Sequence, residues 1–202
     1  MTPDNPFLKA LLAQPDDDTL RLAMADWLDE NDQPARGEFV RLQCELARGV
    51  GPERRKELEV RQRELLVAHD TEWVRPLAEV LGCGPGEWGG WVFRRGFVEY
   101  FHLPATVVNK RGEQLAALTP VRELFLVPCK SGNVIALCNR PWLERLTALY
   151  LTGRLNENAT RALMDCPYLG NLRCLDATPD DTVREATRRA FDARFAAVRR
   201  TA

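Results

Sequence analysis

The side chains best able to do chemistry in this chain are one serine, two histidines and six cysteines: Ser131, His69, His102, and Cys44, Cys83, Cys129, Cys138, Cys166 and Cys174. Acyl transfer needs a hydroxyl beside a histidine that a carboxylate orients, and this inventory almost excludes it. Ser131 stands next to Gly132 before a helix-compatible stretch, where a hydroxyl serves as an N-cap. His69 ends a charged helical stretch and suits the free carbonyls there. Neither histidine has a second at metal-ligand spacing. No two cysteines form a C-x-x-C pair, so the thiols read as reduced, small apolar core residues. The enzyme alternative is one of unidentified class using a carboxylate or a thiol site, such as a cysteine nucleophile with His102, since spatial neighbours need not be sequence neighbours.

Two further clusters have simple readings. Asp16, Asp17 and Asp18 lack the alternating oxygens, glycine and closing glutamate of a calcium loop, so helix capping outranks ion binding. The run G-C-G-P-G-E at 82–87 has neither the Gly-Lys-Ser/Thr ending of a phosphate loop nor a dinucleotide spacing, and reads as a linker. No catalytic residue, metal ligand or cofactor follows from the motifs.

The elements that must position any site begin with helices. Asn5 and Pro6 form a cap and first turn, and Phe7, Leu8, Leu11 and Leu12 make an apolar stripe that Pro15 stops. Asp17 or Asp18 caps the next helix, striped by Leu20, Ala23, Met24, Trp27 and Leu28. Asn31 to Pro34 break it. Another helix starts near Arg36 with Phe39, Val40, Leu42, Gln43 and Leu46 on its apolar side. Trp27 and Phe39 are the expected anchors of this pair, with Asp17, Asp26, Arg36 and Glu38 as caps and pairing groups. A charged helix from about Glu53 to Ala68 follows, then a short one through Trp73 to Leu81, interrupted or started by Pro76.

The run D-D-T-L-R-L-A-M-A-D-W-L-D-E at 17–30, followed by R-G-E-F-V-R-L-Q at 36–43, resembles the bacterial repeat-companion domain known chiefly from planctomycete-type bacteria. That resemblance covers about a fifth of the chain. It implies an N-terminal helical module followed by leucine-rich repeats and carries no catalytic residue with it. R-R-G-F-V-E-Y at 94–100 looks like the segment that joins such a module to its repeats.

Composition shifts at Gly82–Gly86, and Trp88, Trp91 and Phe93 then have strand character, which places a boundary between 1–82 and 83–202. Beyond it an internal period appears. Apolar residues at i, i+3 and i+5 occur as Val98, Phe101, Leu103; Val121, Leu124, Leu126; Leu146, Leu149, Leu151; and Leu172, Leu175, Ala177. Helix-compatible segments lie between them at Thr106–Leu118, Ser131–Asn139 and Asn156–Cys166, and Asp180 or Asp181 caps a last helix through Val183, Ala186, Ala190 and Phe191.

The segment 156–175 is similar to ribonuclease-inhibitor-like leucine-rich repeats. Cys129 fits the position three after the last strand leucine, where Asn or Cys is favoured; Arg154 and Asp180 depart from it. The expected fold is α+β, an all-helical module followed by a short α/β solenoid with a parallel sheet, with an ordinary small α/β sheet as the alternative.

In a parallel stack the leucines face inward and the residues between them line the other face. One column then holds His102, Phe125, Tyr150 and Asp176, and its neighbour holds Tyr100, Glu123, Ala148 and Cys174. Phe and Tyr on adjacent rungs are rigid interface anchors, although aromatics also simply suit strands or could be covered by the N-terminal helices. The expected protein-binding residues are Tyr100, His102, Glu123, Phe125, Tyr150 and Asp176, the expected function is a non-enzymatic interaction module, and the partner is an unknown protein. With a net charge of −1 there is no global field for nucleic acid. Arg184, Arg188, Arg189, Arg194, Arg199 and Arg200 leave a basic C-terminal helix as that alternative. No signal segment and no apolar run long enough to span a bilayer is present, so a cytoplasmic location is expected.

Overall fold

The computed structural model describes residues 4–82 and 90–198. The expectations placed on Cys83 to Trp88, and on Arg199 and Arg200, lie outside those residues. The fold is α+β: N-terminal helices, then an α/β region around a five-stranded mixed sheet. It divides into two compact units, one of residues 1–85, 92–99 and 117–120, the other of 86–91, 100–116 and 121–202.

The first unit opens with α1, Pro6–Ala13, whose first-turn amides at Phe7 and Leu8 donate to the Asn5 side chain at 2.9 and 3.1 Å. In α2, Asp18–Glu30, Asp17 rather than Asp18 is the cap and accepts from the Thr19 amide at 2.7 Å. Then α3, Pro34–Arg48, starts two residues earlier than the stripe implied. Proline has no amide to leave unsatisfied at the first helical position, so Pro34 begins the helix that it was expected to precede. The core of these helices includes Leu8, Leu11, Met24, Leu28, Val40 and Phe97. Phe39 is fully buried, whereas Trp27 is only half-buried against Phe7.

A single helix, α4, covers Pro52–Leu81 where two were expected. Pro76 removes one ladder hydrogen bond, a local cost of about 3 kcal/mol. The buried stripe Val74, Leu77, Ala78 and Leu81 runs through it, and Trp73 packs on Phe39 and Phe93 at ring separations of 4.9 and 6.3 Å. Tertiary burial outweighs the local penalty, and His69 therefore lies inside the helix rather than at its end. The helix ends at Gly82 in the left-handed region, whose amide donates to the Ala78 and Glu79 carbonyls.

Strands β1, Gly90–Arg94, and β2, Phe97–Leu103, are joined by a two-residue turn with positive φ at both Arg95 (47°) and Gly96 (90°). Helix α3 grips this turn: the Gly96 amide donates to Gln43 Oε1 at 2.6 Å, and Arg36 Nη2 donates to the Gly96 carbonyl at 2.7 Å. A Cβ on Gly96 would lie 2.5 Å from Val40 Cγ2, so only glycine allows that approach. Buried Arg21 completes the attachment, with Glu99 at 2.6 Å and the carbonyls of Pro15 and Arg95 at 2.6 and 2.9 Å.

In the second unit β3 (Glu123–Leu126), β4 (Ala148–Leu155) and β5 (Cys174–Pro179) follow β2, each strand pairing in parallel with the next in sequence. The intervening helices are α5 (Ala105–Ala116), α6 (Ser131–Leu137) with a 3-10 turn at Pro141–Arg145, α7 (Glu157–Asp165) and α8 (Glu185–Phe195). Each of these four helices packs on the next. All twelve periodic residues, from Val98 to Ala177, are buried. Asn156 caps α7, its side chain accepting from the Ala159 amide at 3.0 Å. Neither Asp180 nor Asp181 caps α8: Asp180 instead accepts from Thr182, and Arg184 precedes the helix without a side-chain cap. Ser131 is no cap either; its Oγ accepts from the Asn156 amide at 3.0 Å and ties one turn to the next.

Candidate functional site

Side chains on a strand alternate between faces, so strand register decides which residues share a surface. Phe101, Leu124, Leu149 and Leu175 are aligned and buried. One position on, His102 pairs with Phe125, Phe125 with Tyr150, and Tyr150 with Asp176. One position before the leucines, Tyr100 pairs with Glu123, Glu123 with Ala148, and Ala148 with Cys174. The register therefore brings all six expected residues together in two adjacent columns. Tyr100, His102, Glu123, Phe125, Tyr150 and Asp176 are each half-buried.

The rings form a continuous ladder. His102 meets Phe125 edge-on at 4.8 Å with an interplanar angle of 74°, and Phe125 stacks on Tyr150 at 5.8 Å and 30°. Such contacts hold the rings in place and leave little rotamer freedom to lose when a partner docks. Burial, and then the charge of Glu123, raise the Tyr100 phenol above its usual range, so it remains a neutral donor at physiological pH. Across the two columns the acidic groups are Glu123 and Asp176, and no lysine or arginine occurs in either. The surface is aromatic and acidic.

Below the columns the strands lose their regularity. The β4–β5 register shifts between Tyr150 and Arg154, and Gly153 has φ +107°. Here Thr152 Oγ1 donates to the Leu126 carbonyl at 2.9 Å, and the Cys129 amide donates to the Thr152 carbonyl at 3.2 Å. Cys129 thus follows β3 with its backbone bonded to β4, and Arg154 pairs with Asp181 at 2.7 Å. The bulge has a weak sequence signal, the Gly153 that interrupts a strand pattern.

His69 and several of the thiols have packing or hydrogen-bond partners within their own units. His69 stacks on Trp73 at 5.2 Å with its Nδ1 3.6 Å from Glu72. Burial pushes the Cys44 and Cys129 thiols up to about 11. Cys166 Sγ lies 3.2 Å from the Cys138 carbonyl, and a hydrogen bond from the Cys138 thiol brings the Cys166 thiol down to about 7. In the basic C-terminal helix, Arg188 donates to the Asp180 carbonyl at 2.7 Å and Arg189 pairs with Glu185 at 2.9 Å. Among the described residues there is no group of three His, Cys, Asp or Glu side chains placed to hold a metal ion. None of the described helices is long and apolar enough to cross a membrane.

Comparison with protein-family models, with curated proteins and with solved structures returned no match.

Proposed function

We propose that the chain is a non-enzymatic protein-interaction module whose second unit is a short run of leucine-rich-like repeats. The observation that carries this reading is the register of the columns, which puts a preorganised ladder of His102, Phe125 and Tyr150 between Glu123 and Asp176 on one strand face. Aromatic anchors held by neighbours contribute most of the energy at protein interfaces. The acidic residues that flank them complement a basic partner, so the occupant is a protein segment presenting Lys or Arg beside apolar side chains. The repeat reading is supported by the periodic leucines, the consecutive parallel strands and the row of helices that follow one another in sequence. The companion-domain reading of the helical unit rests on the two quoted sequence runs.

The test is affinity capture from lysate of the native organism with the unaltered chain and with a Phe125→Ala/Tyr150→Ala variant. A specific partner should be lost with the double variant, should weaken as salt rises, and should cross-link to the columns through a basic segment. Equal capture by both proteins would count against the reading. Nucleic-acid binding through α8 draws less support, because Arg188 and Arg189 already have partners within their own unit.

A further inference from the structure

The helical unit buries two arginines in different ways. Removing a guanidinium from water costs several kcal/mol unless a carboxylate and further acceptors replace the lost hydration. Arg21, although its Nε has no partner, has that replacement at both Nη atoms in Glu99 and the surrounding carbonyls. Arg36 does not. It is 7% exposed, its Nη2 donates to the Gly96 carbonyl, and its Nη1 is buried with no hydrogen-bond partner. Its other neighbours are rings: Trp73 lies 4.6 Å from the guanidinium carbon, Phe93 5.0 Å and Phe39 5.7 Å. Cation–π contacts contribute about 0.5–2 kcal/mol each and leave the hydrogen-bonding need unmet. Burial accordingly pushes Arg36 down to about 9, and the charge of Asp70 opposes that shift. The group is still a cation at neutral pH.

Arg36 also lines a cavity of about 250 Å³. Arg75 and Glu72 supply the other charges in its wall, and Trp73, Phe97 and Leu118 supply apolar surface. Gln33 lines it too, as the residue before α3, and makes no side-chain cap bond there. The positive end of the α3 dipole therefore adds to the two arginines.

We propose that this cavity binds a small monocarboxylate with an apolar body, the carboxylate meeting Arg36 and the body lying against Trp73. A carboxylate at the part of Arg36 that reaches the cavity offsets the charge that burial leaves without a close counter-ion, and carboxylates are among the anions that a guanidinium recognises best. The nearby acids Glu72 and Asp70 disfavour a dianion such as phosphate, and the apolar walls favour an aryl or branched aliphatic acid over a fully polar one. This site rests on the helical unit alone and is independent of the strand-face interaction.

Benzoate is a suitable probe, titrated into the full chain at neutral pH and followed by calorimetry and by the Trp73 indole resonance. Saturable binding is expected, with benzyl alcohol weaker by about tenfold or more because it lacks the charge-assisted pair. Arg36→Gln should lower benzoate affinity by a similar factor. Since Arg36 also holds the Gly96 turn, Leu118→Trp provides a second variant that fills the cavity and leaves the arginine in place. It should abolish binding while preserving the far-ultraviolet circular dichroism of the unaltered chain. The proposal is overturned by lack of saturation with benzoate, by equal binding of benzyl alcohol, by phosphate binding more tightly than benzoate, or by unchanged affinity in folded Leu118→Trp.

Discussion

The two units fix their strands by opposite means. The second stacks leucines in register, with Phe101, Leu124, Leu149 and Leu175 aligned across four strands. The first fixes a β-turn against helices with two arginines, a glutamine and a glycine that share no period. A repeated apolar contact tolerates variation at any single rung, because its energy is distributed and non-directional. A buried polar lock does not, because each member left without its partner carries a full desolvation cost. The difference also decides where a site can be inferred from sequence: on the ladder, register follows from periodicity, while around Arg36 nothing repeats.

Substitutions can break or sharpen this contrast. Glu99→Ala leaves Arg21 buried without its carboxylate, and a loss of about 3–5 kcal/mol is expected in urea unfolding. A loss below about 1 kcal/mol, the range of an exposed pair, would mean that the lock does not govern the first unit. On the ladder, Leu124→Ala should cost about 3 kcal/mol through the cavity that it leaves. Between those extremes of chemistry lies the turn glycine: Gly96→Ala combines φ +90° with overlap on Val40 and should cost about 2 kcal/mol. Gly153→Ala, with φ +107° and one contact at 3.1 Å, should cost less, and the reverse order would refute the close-approach argument.

Phe125→Ala should cost only about 1 kcal/mol, the value of its ring contacts, despite adjoining Leu124. Equal losses at 124 and 125 would show that the two strand faces are buried alike. The smallest effect is one of pH. Glu157 accepts from Thr187 Oγ1 at 2.7 Å and from the Arg184 amide at 3.0 Å, and pairs with Arg161, which together depress its carboxyl to about 2. A depressed acid contributes stability above its unfolded pKa, roughly 4.3, and loses it as pH falls toward the folded value. The difference in Tm between the unaltered chain and Glu157→Gln should therefore shrink as the pH is lowered from neutral to about 2, and a constant difference would exclude this linkage.

Much of the second unit was legible in the chain. The i, i+3, i+5 sets located the strands, the interval between sets located the helices, and alternation then placed His102, Phe125, Tyr150 and Asp176 in one column. Cap positions were harder. Asn156 caps α7, but Ser131 serves the neighbouring turn and Asp180 turns back on Thr182, because a short polar side chain takes whichever nearby backbone donor the packing presents. The continuity of α4 through Pro76 was hidden for a similar reason: the local cost is visible in sequence, and the compensating burial of Val74 and Leu77 is not.

By itself the sequence determined the periodic part of this protein, since inward and outward residues on a strand differ by a parity that chain order carries. Only the tertiary structure decided that Arg36 and Trp73, 37 positions apart, meet beside a cavity, and that the turn at Arg95 and Gly96 is held by α3. Those contacts join residues distant in the chain through directional bonds. No local spacing encodes such bonds, and the cost of burying a charge is set only once the surrounding groups are in place.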